Sequence, residues 1–239
     1  MDNSGYIGLS RQIGLQRELT TVANNLANMN TNGFRREGAI FAEHIEALQS
    51  ENTSLSMSTL SRRYVDLSAG ELSITDEPLD VAIDGDGFFL VETPAGERLT
   101  RDGAFSLNAD RELINSQQLR ILDESGGAIA IPQGQNDIIV AEDGSIFAGG
   151  QPVGRLGVVI ADHAGLVREG GNLFEAQLGY SASEEARVRQ GVVEGSNVNA
   201  IEEMARLIEV QRTYEASKRF TEDENERITR TVRTIGQTQ

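Results

Sequence analysis

No cysteine occurs in the 239 residues, which excludes disulfide bonds, thiol catalysis and cysteine-ligated zinc. Tryptophan is absent as well. Aromatic residues make up 5% of the chain and apolar residues 38%, below the share of an ordinary compact domain. The length allows one fair-sized core or two small ones. With so few core-forming residues, some segments must bury their apolar face against a partner. No window approaches the roughly 18 apolar residues of a membrane span. The opening MDNSGYIGLSRQ lacks the basic-then-apolar succession of a Sec signal peptide. The expectation is a soluble chain that is not membrane-embedded and that would need another route for any export. Positive charge is also scarce: 21 Lys and Arg stand against 37 Asp and Glu, a net charge of -16. Nucleic acid and anionic membranes repel such a chain, so neither is an expected partner.

What is present falls into three parts. Residues 4 to 30 read as one amphipathic helix. Leu15, Leu19, Val22, Leu26 and Met29 step by 4, 3, 4 and 3, the spacing that keeps one stripe facing a partner helix. Tyr6, Leu9 and Ile13 carry an adjoining stripe. Gly5, Gly8 and Gly14 weaken the first half, by about 1 kcal/mol each relative to Ala. Asn32-Gly33 is a stop signal. Residues 34 to 75 are mixed: Phe34, Ile40, Phe41, Ile45 and Leu48 fit a helix or a segment running beside one, and the Ser/Thr-rich run after Ser50 reads as extended or loop-like.

From residue 76 to 180 short apolar runs alternate with Gly, Asp and Asn, as in LDVAIDGDGFFLVETP and DIIVAEDGSIFAG. These are strands with tight turns at Asp86-Gly87, Asp102-Gly103 and Asp143-Gly144, and they imply an antiparallel β domain. From Asn197 to Ile235 there is neither Gly nor Pro, and a helix of about 55 Å is expected at 1.5 Å per residue. Asn199 with Glu202 suggests its cap. Ile201, Met204 and Ile208 step 3 and 4; Leu207, Val210, Tyr214 and Ser217 step 3, 4 and 3; Ile228, Val232 and Ile235 step 4 and 3. The fold class is α+β: a discontinuous helical coiled-coil domain from both termini, with an inserted, mainly antiparallel β domain. The expected boundaries are 1–35 and 190–239 for the helices, 36–75 and 181–189 for extended connections, and 76–180 for the β domain.

Catalytic groupings are missing. His44 and His163 are isolated, no G-x-S-x-G motif occurs, and a lone His makes no site. Asp84-Gly85-Asp86-Gly87 starts like a calcium loop, but Phe88, Phe89 and Leu90 stand where ligands would continue. A β-turn feeding a buried strand is the better reading. Gly170-Gly171-Asn172 marks another turn. The run Glu222, Asp223, Glu224 and Glu226 reads as a solvated helix face, with Arg212, Lys218, Arg219, Arg227 and Arg230 as its counter-charges. No enzyme activity, cofactor or metal is expected. A hydrolase built on Asp84 and Asp86, or a soluble binding module with a private coiled coil, are the competing classes.

Three blocks carry a family resemblance. ANNLANMNTNGFRRE (Ala23 to Glu37) resembles the N-terminal signature of bacterial flagellar rod, hook and hook-associated proteins. LDVAIDGDGFFLVETPAGERLTRDGAFSL (Leu79 to Leu107) and QGVVEGSNVNAIEEMARLIEVQRTYEASKR (Gln190 to Arg219) resemble the family's middle and C-terminal blocks, in the same order. The opening looks most like proximal rod members, with distal rod members the runner-up. One departure follows Leu107: the chain reads NADREL where the family commonly has a Gly-containing hairpin, so the resemblance does not carry over the geometry of the turn at Asn108 to Arg111.

The resemblance implies a structural subunit of the flagellar basal-body rod in the periplasm, exported through the flagellar type III apparatus. It would polymerise with copies of itself and with adjacent rod proteins into a tubular drive shaft that is also the export channel. The terminal helices would form the inner core and the β domain the outside. The assembly interface it implies comprises Leu15, Leu19, Val22, Asn24, Asn25, Leu26, Asn28, Gly33, Phe34, Asn197, Asn199, Met204, Leu207, Gln211, Arg212 and Tyr214. Asn24, Asn25 and Asn28 would bond across a helix contact, Gly33 would take positive φ with Phe34 packing back, and Asn197 and Asn199 would cap.

Overall fold

The computed structural model describes residues 3–47, 54–183 and 186–236. They form two helices and a set of strands whose pairings are antiparallel throughout, an α+β chain with a β domain. Two compact units emerge. Unit 1 comprises Met1–Ala27, Glu37–Asp66 and Asn199–Gln239; unit 2 comprises Asn28–Arg36 and Leu67–Val198.

Unit 1 contains helix α1 (Asn3–Ala27), a hairpin of two long strands, β1 (Glu37–Ala47) and β2 (Ser54–Val65), and helix α2 (Ala200–Gly236). The segment that fitted a helix or a run beside one is strand: β1 pairs with β2 from Glu37 opposite Val65 to Ala47 opposite Ser54, with an irregularity between Ile40 and Phe41. Leu48 and Ser50 lie outside the described residues, as do the side chains of Tyr6, Ile40, Phe41, Ile45, Val232 and Ile235. α1 ends three residues short of the expected bound at residue 30, in a turn where Thr31 N–H donates to the Asn28 carbonyl at 3.1 Å.

α2 starts at its cap. Asn199 Oδ1 accepts from the backbone N–H of Ile201 at 3.1 Å and of Glu202 at 3.4 Å, which satisfies two of the donors that every helix start leaves open. The two helices run antiparallel. Gln12 near the start of α1 donates to Thr221 Oγ1 at 3.1 Å, while Asn25 near its end donates to Glu203 of α2 at 3.2 Å. Gly8 has a reason to be glycine: a Cβ there would stand 2.8 Å from Thr221 Oγ1.

Unit 2 is built around one six-stranded sheet. Its order is Leu166–Arg168, Leu173–Ala176, β6 (Gly96–Thr100), β5 (Phe88–Thr93), Val158–Ala161 and Tyr180–Ala182. Strand β3 (Leu72–Ile74) pairs with Val192–Glu194, and β4 (Val81–Asp84) pairs with Arg187–Gln190, so the chain entering the unit lies beside the chain leaving it. Gly85 and Gly87 take positive φ in the tight connection from β4 to β5. Four consecutive residues of β5, Phe88 to Val91, are buried. Side chains alternate along a strand, so both faces of the sheet are covered. Phe89 meets Phe105 edge-on at 5.1 Å between centroids, and Phe88 meets Phe174 at 5.6 Å.

The NADREL segment forms a turn of its own. Arg111 takes φ 61°, the left-handed conformation that Gly adopts most readily. Asn108 holds the turn: its Oδ1 accepts from the N–H of Asp110 at 3.0 Å and of Glu112 at 2.9 Å, and its carbonyl accepts from Arg111 N–H at 3.0 Å.

Phe89 is fully buried in the unit 2 core. Phe89→Ala is expected to cost about 3–5 kcal/mol, read as a lowered urea midpoint of the β-rich transition. An unchanged midpoint would place the core elsewhere.

Candidate assembly site

In unit 1 the site begins with the inward faces of the helix pair. Leu15 and Val22 of α1 and Val210 of α2 are buried; Leu19, Leu26, Leu207 and Tyr214 are half-buried. Along α2, Glu203, Leu207, Val210, Tyr214, Ser217, Thr221, Glu224 and Ile228 are buried or half-buried and step 4, 3, 4, 3, 4, 3 and 4. One of the seams read from the sequence, Leu207 to Ser217, therefore faces inward. The other, Ile201, Met204 and Ile208, is exposed, as are Gln211 and Arg212.

Polar groups lock the pair in register. Asn25 is buried; its Oδ1 accepts from Glu37 N–H at 3.0 Å, and its Nδ2 donates to the Glu37 carbonyl at 2.8 Å and to Glu203. One side chain thus fixes the start of β1 to both helices. Glu18, also buried, accepts from Arg206 Nε at 2.8 Å and from its Nη2. Of the three asparagines expected at a helix contact, Asn25 makes one, to Glu203 of α2. Asn24 is on the exposed face of α1, and Asn28, past the helix end, accepts from the Thr31 hydroxyl at 3.2 Å.

In unit 2 the two motif loops, residues 28–36 and 191–198, are tied together by a buried charge cluster. Glu194 Oε1 accepts from Arg35 Nη1 at 2.6 Å and from Gly70 N–H at 2.8 Å; its Oε2 accepts from Arg101 Nη1 at 3.2 Å. These three side chains are 1%, 5% and 2% exposed for Arg35, Arg101 and Glu194. Arg101 also donates to the carbonyls of Ile83 at 3.3 Å and Gly85 at 2.6 Å. Burial lowers the Arg101 pKa to about 10, with Glu194 opposing that shift and Arg35 adding to it. The group stays charged at neutral pH.

Gly33 and Phe34 sit beside this cluster. Gly33 has φ 66° and donates its N–H to the Glu194 carbonyl at 2.8 Å. A Cβ there would stand 2.3 Å from the Arg101 carbonyl carbon, so both the conformation and the space demand glycine. Phe34 is fully buried under the Arg168 guanidinium, 4.4 Å from its ring centroid, a cation–π contact. Asn172 Nδ2 donates to the Asn32 carbonyl at 3.0 Å.

Asn197 was read as a cap, and its place in the fold is different. α2 begins three residues beyond it, with Asn199 as the cap, and Asn197 braces unit 2 instead. Its Oδ1 accepts from Arg36 N–H at 2.6 Å, and its Nδ2 donates to the Ser68 carbonyl at 2.9 Å.

Sequence reasoning missed Arg35, Arg101, Glu194 and Arg168, along with Glu18 and Glu203. A signal existed for the first three, since they stand in FRRE, LTRDG and VVEG within the family blocks. His44, by contrast, lies in β1 opposite Met57, and His163 begins a short 3-10 turn.

Removing one partner of a buried pair leaves an uncompensated charge, which costs about 3–5 kcal/mol. Glu194→Gln is expected to destabilise unit 2 by that amount in chemical denaturation, with faster amide exchange at Gly33 and Gly70. Loss below about 1 kcal/mol would mean that the arginines do not depend on this carboxylate.

Three family models match the chain. "Flagella basal body rod protein" covers residues 6–35, "Flagellar hook protein FlgE/F/G D1 domain" covers 82–148, and "Flagellar basal body rod FlgEFG protein C-terminal" covers 189–233. Among curated proteins, the flagellar basal-body rod protein FlgF of Caulobacter vibrioides is 36% identical over 99% of both chains, and that of Mesorhizobium japonicum 35% identical over 99% of both. The flagellar basal-body rod protein FlgG of Buchnera aphidicola (subspecies Acyrthosiphon pisum) is 34% identical over 85% of this chain and 88% of its own. The inward helix seam, the braced motif loops and these full-length similarities together make the chain a member of the flagellar basal-body rod family, a structural subunit of the rod.

Proposed function

We propose that this subunit belongs to the proximal rod. It polymerises with copies of itself and with adjacent rod proteins into the tube that crosses the periplasm, transmits torque and serves as the export channel. It reaches that place through the flagellar type III apparatus, and it has no catalytic role. One observation carries the reading: apolar residues at heptad spacing stay exposed on both helices, Leu9 and Ile13 on α1 and Ile201, Met204 and Ile208 on α2. Isolated helices owe most of their stability to packing. A face of this kind is therefore completed by neighbouring helices, in a coiled-coil arrangement that extends from subunit to subunit. The proximal position is supported by the FlgF relatives, which match over 99% of both chains where the Buchnera FlgG relative covers 85% of this one.

The inward and outward seams serve different ends, and substitutions separate them. Val22 is buried within unit 1. Val22→Asp places a charge there at a cost of several kcal/mol and is expected to melt the helix signal of the monomer as well as abolish motility. Ile208 is half exposed, and Ile208→Asp should change monomer stability by no more than about 0.5 kcal/mol while motility and rod assembly fail. Circular dichroism melts with swimming assays on complemented cells give the comparison. Normal swimming with Ile208→Asp would contradict the assembly reading.

A further inference from the structure

Asn32 is the one asparagine of the chain that a glycine follows. That succession is chemically labile. Glycine has no side chain to shield its backbone nitrogen or to restrict its φ, so in a flexible chain the Gly33 nitrogen reaches the side-chain carbonyl carbon, Cγ, of Asn32. In the fold the peptide between the two residues is held at both ends. The Asn32 carbonyl accepts from Asn172 Nδ2 at 3.0 Å, and the Gly33 N–H donates to the Glu194 carbonyl at 2.8 Å. Asn172 and Gly33 are both buried. Gly33 has φ 66°, and a Cβ there would stand 2.3 Å from the Arg101 carbonyl carbon and 2.4 Å from the Asp102 nitrogen. Fully buried Phe34 follows directly. The nitrogen is hydrogen-bonded, and the backbone around it has no room to turn toward Cγ.

We propose that Asn32-Gly33 is a site of spontaneous deamidation and backbone isomerisation, open in the unfolded chain and closed by the folding of unit 2. The reaction needs only water. The Gly33 nitrogen bonds to Asn32 Cγ and loses its proton, the Cγ–Nδ2 bond breaks, and Nδ2 leaves as ammonia. The product is a cyclic imide. Water then adds to either imide carbonyl. Cleavage of the new Cγ–N bond gives aspartate. Cleavage of the original peptide C–N bond gives isoaspartate, in which the main chain runs through the side-chain carbon.

The two products differ in what they do to the fold. Aspartate leaves the main chain intact, and residue 32 is only half-buried, so unit 2 still forms. Isoaspartate lengthens the main chain by a methylene immediately before Gly33. The slot against Arg101 and Asp102 has no space for that displacement, and the N–H that meets the Glu194 carbonyl is moved off it. The same loop carries Phe34 and Arg35 into the interior, so the isomerised chain does not rebuild the cluster around Glu194. Folding therefore protects Asn32, and time spent unfolded leaves an irreversible mark. None of this depends on assembly.

The test incubates the full-length chain in mildly alkaline buffer, with and without urea above the unfolding transition. The tryptic peptide Glu18–Arg35 is followed by mass spectrometry, and isoaspartate is counted by enzymatic methylation. Conversion at Asn32 is expected in urea, at a rate at least about tenfold above that of the folded chain, where reaction waits on local opening. Asn172→Ala removes the bond to the Asn32 carbonyl and should raise the folded-state rate several-fold, with the rate in urea unchanged. Asn32→Ser should abolish the product in urea. When urea is removed, chains carrying isoaspartate should stay unfolded, whereas Asn32→Asp should refold. Equal rates with and without urea would overturn the masking, and conversion at another asparagine would overturn the site. Isoaspartate chains that regain the native urea midpoint would overturn the effect on the fold.

Discussion

Glu194 brings one negative charge to two buried guanidinium groups, and the course of unit 2 depends on it. The carboxylate accepts from Arg35 in the loop after α1, from Gly70 before β3, and from Arg101 at the end of β6. Its own backbone carbonyl holds Gly33. Three stretches far apart in sequence are fixed around one side chain. Buried pairs of this kind contribute little net stability against a well-packed apolar alternative, yet losing one partner is costly. Here the consequence is geometric. Phe34 is seated under Arg168, and Asn197 spans Arg36 and Ser68, so the two motif loops keep one arrangement.

Unit 1 solves a different problem with the same economy of polar groups. Its helices share a narrow apolar seam around Leu15, Val22 and Val210, too thin to specify register alone. Glu18 with Arg206 and Asn25 with Glu203 supply it. Because apolar contacts are non-directional and these hydrogen bonds are not, the antiparallel alignment is set by four polar side chains. The outer apolar residues of both helices, Leu9, Ile13, Ile201, Met204 and Ile208, stay exposed.

Much of this was legible in the sequence. Both helices, the cap at Asn199 and the antiparallel β unit follow from local spacing and turn chemistry, which do not depend on distant residues. The left-handed Gly33 was readable for the same reason. The hairpin of β1 and β2 was not, because Ile40, Phe41 and Ile45 do not alternate as a half-buried strand does. The charge cluster stayed hidden because burial of Arg35 depends on Glu194, far along the chain, and no local pattern reports such a pairing. Asn197 was misplaced by two residues relative to the cap at Asn199, the usual uncertainty of a helix boundary, which changed it from a cap to a brace. In the helix pair, spacing alone revealed two stripes on α2 but not which one faces inward.

The central claim is that this chain is a wall-forming component of the rod. Electron cryomicroscopy of intact basal bodies, compared between cells with the native chain and cells in which it carries a bulky tag inserted after Gly134, tests it most directly. The account predicts that α1 and α2 appear as an antiparallel pair among like pairs in the wall of the rod, with tag density attached to the same subunits. Complete rods without tag density, or rods whose channel is lined by β-rich density from this chain, would contradict it.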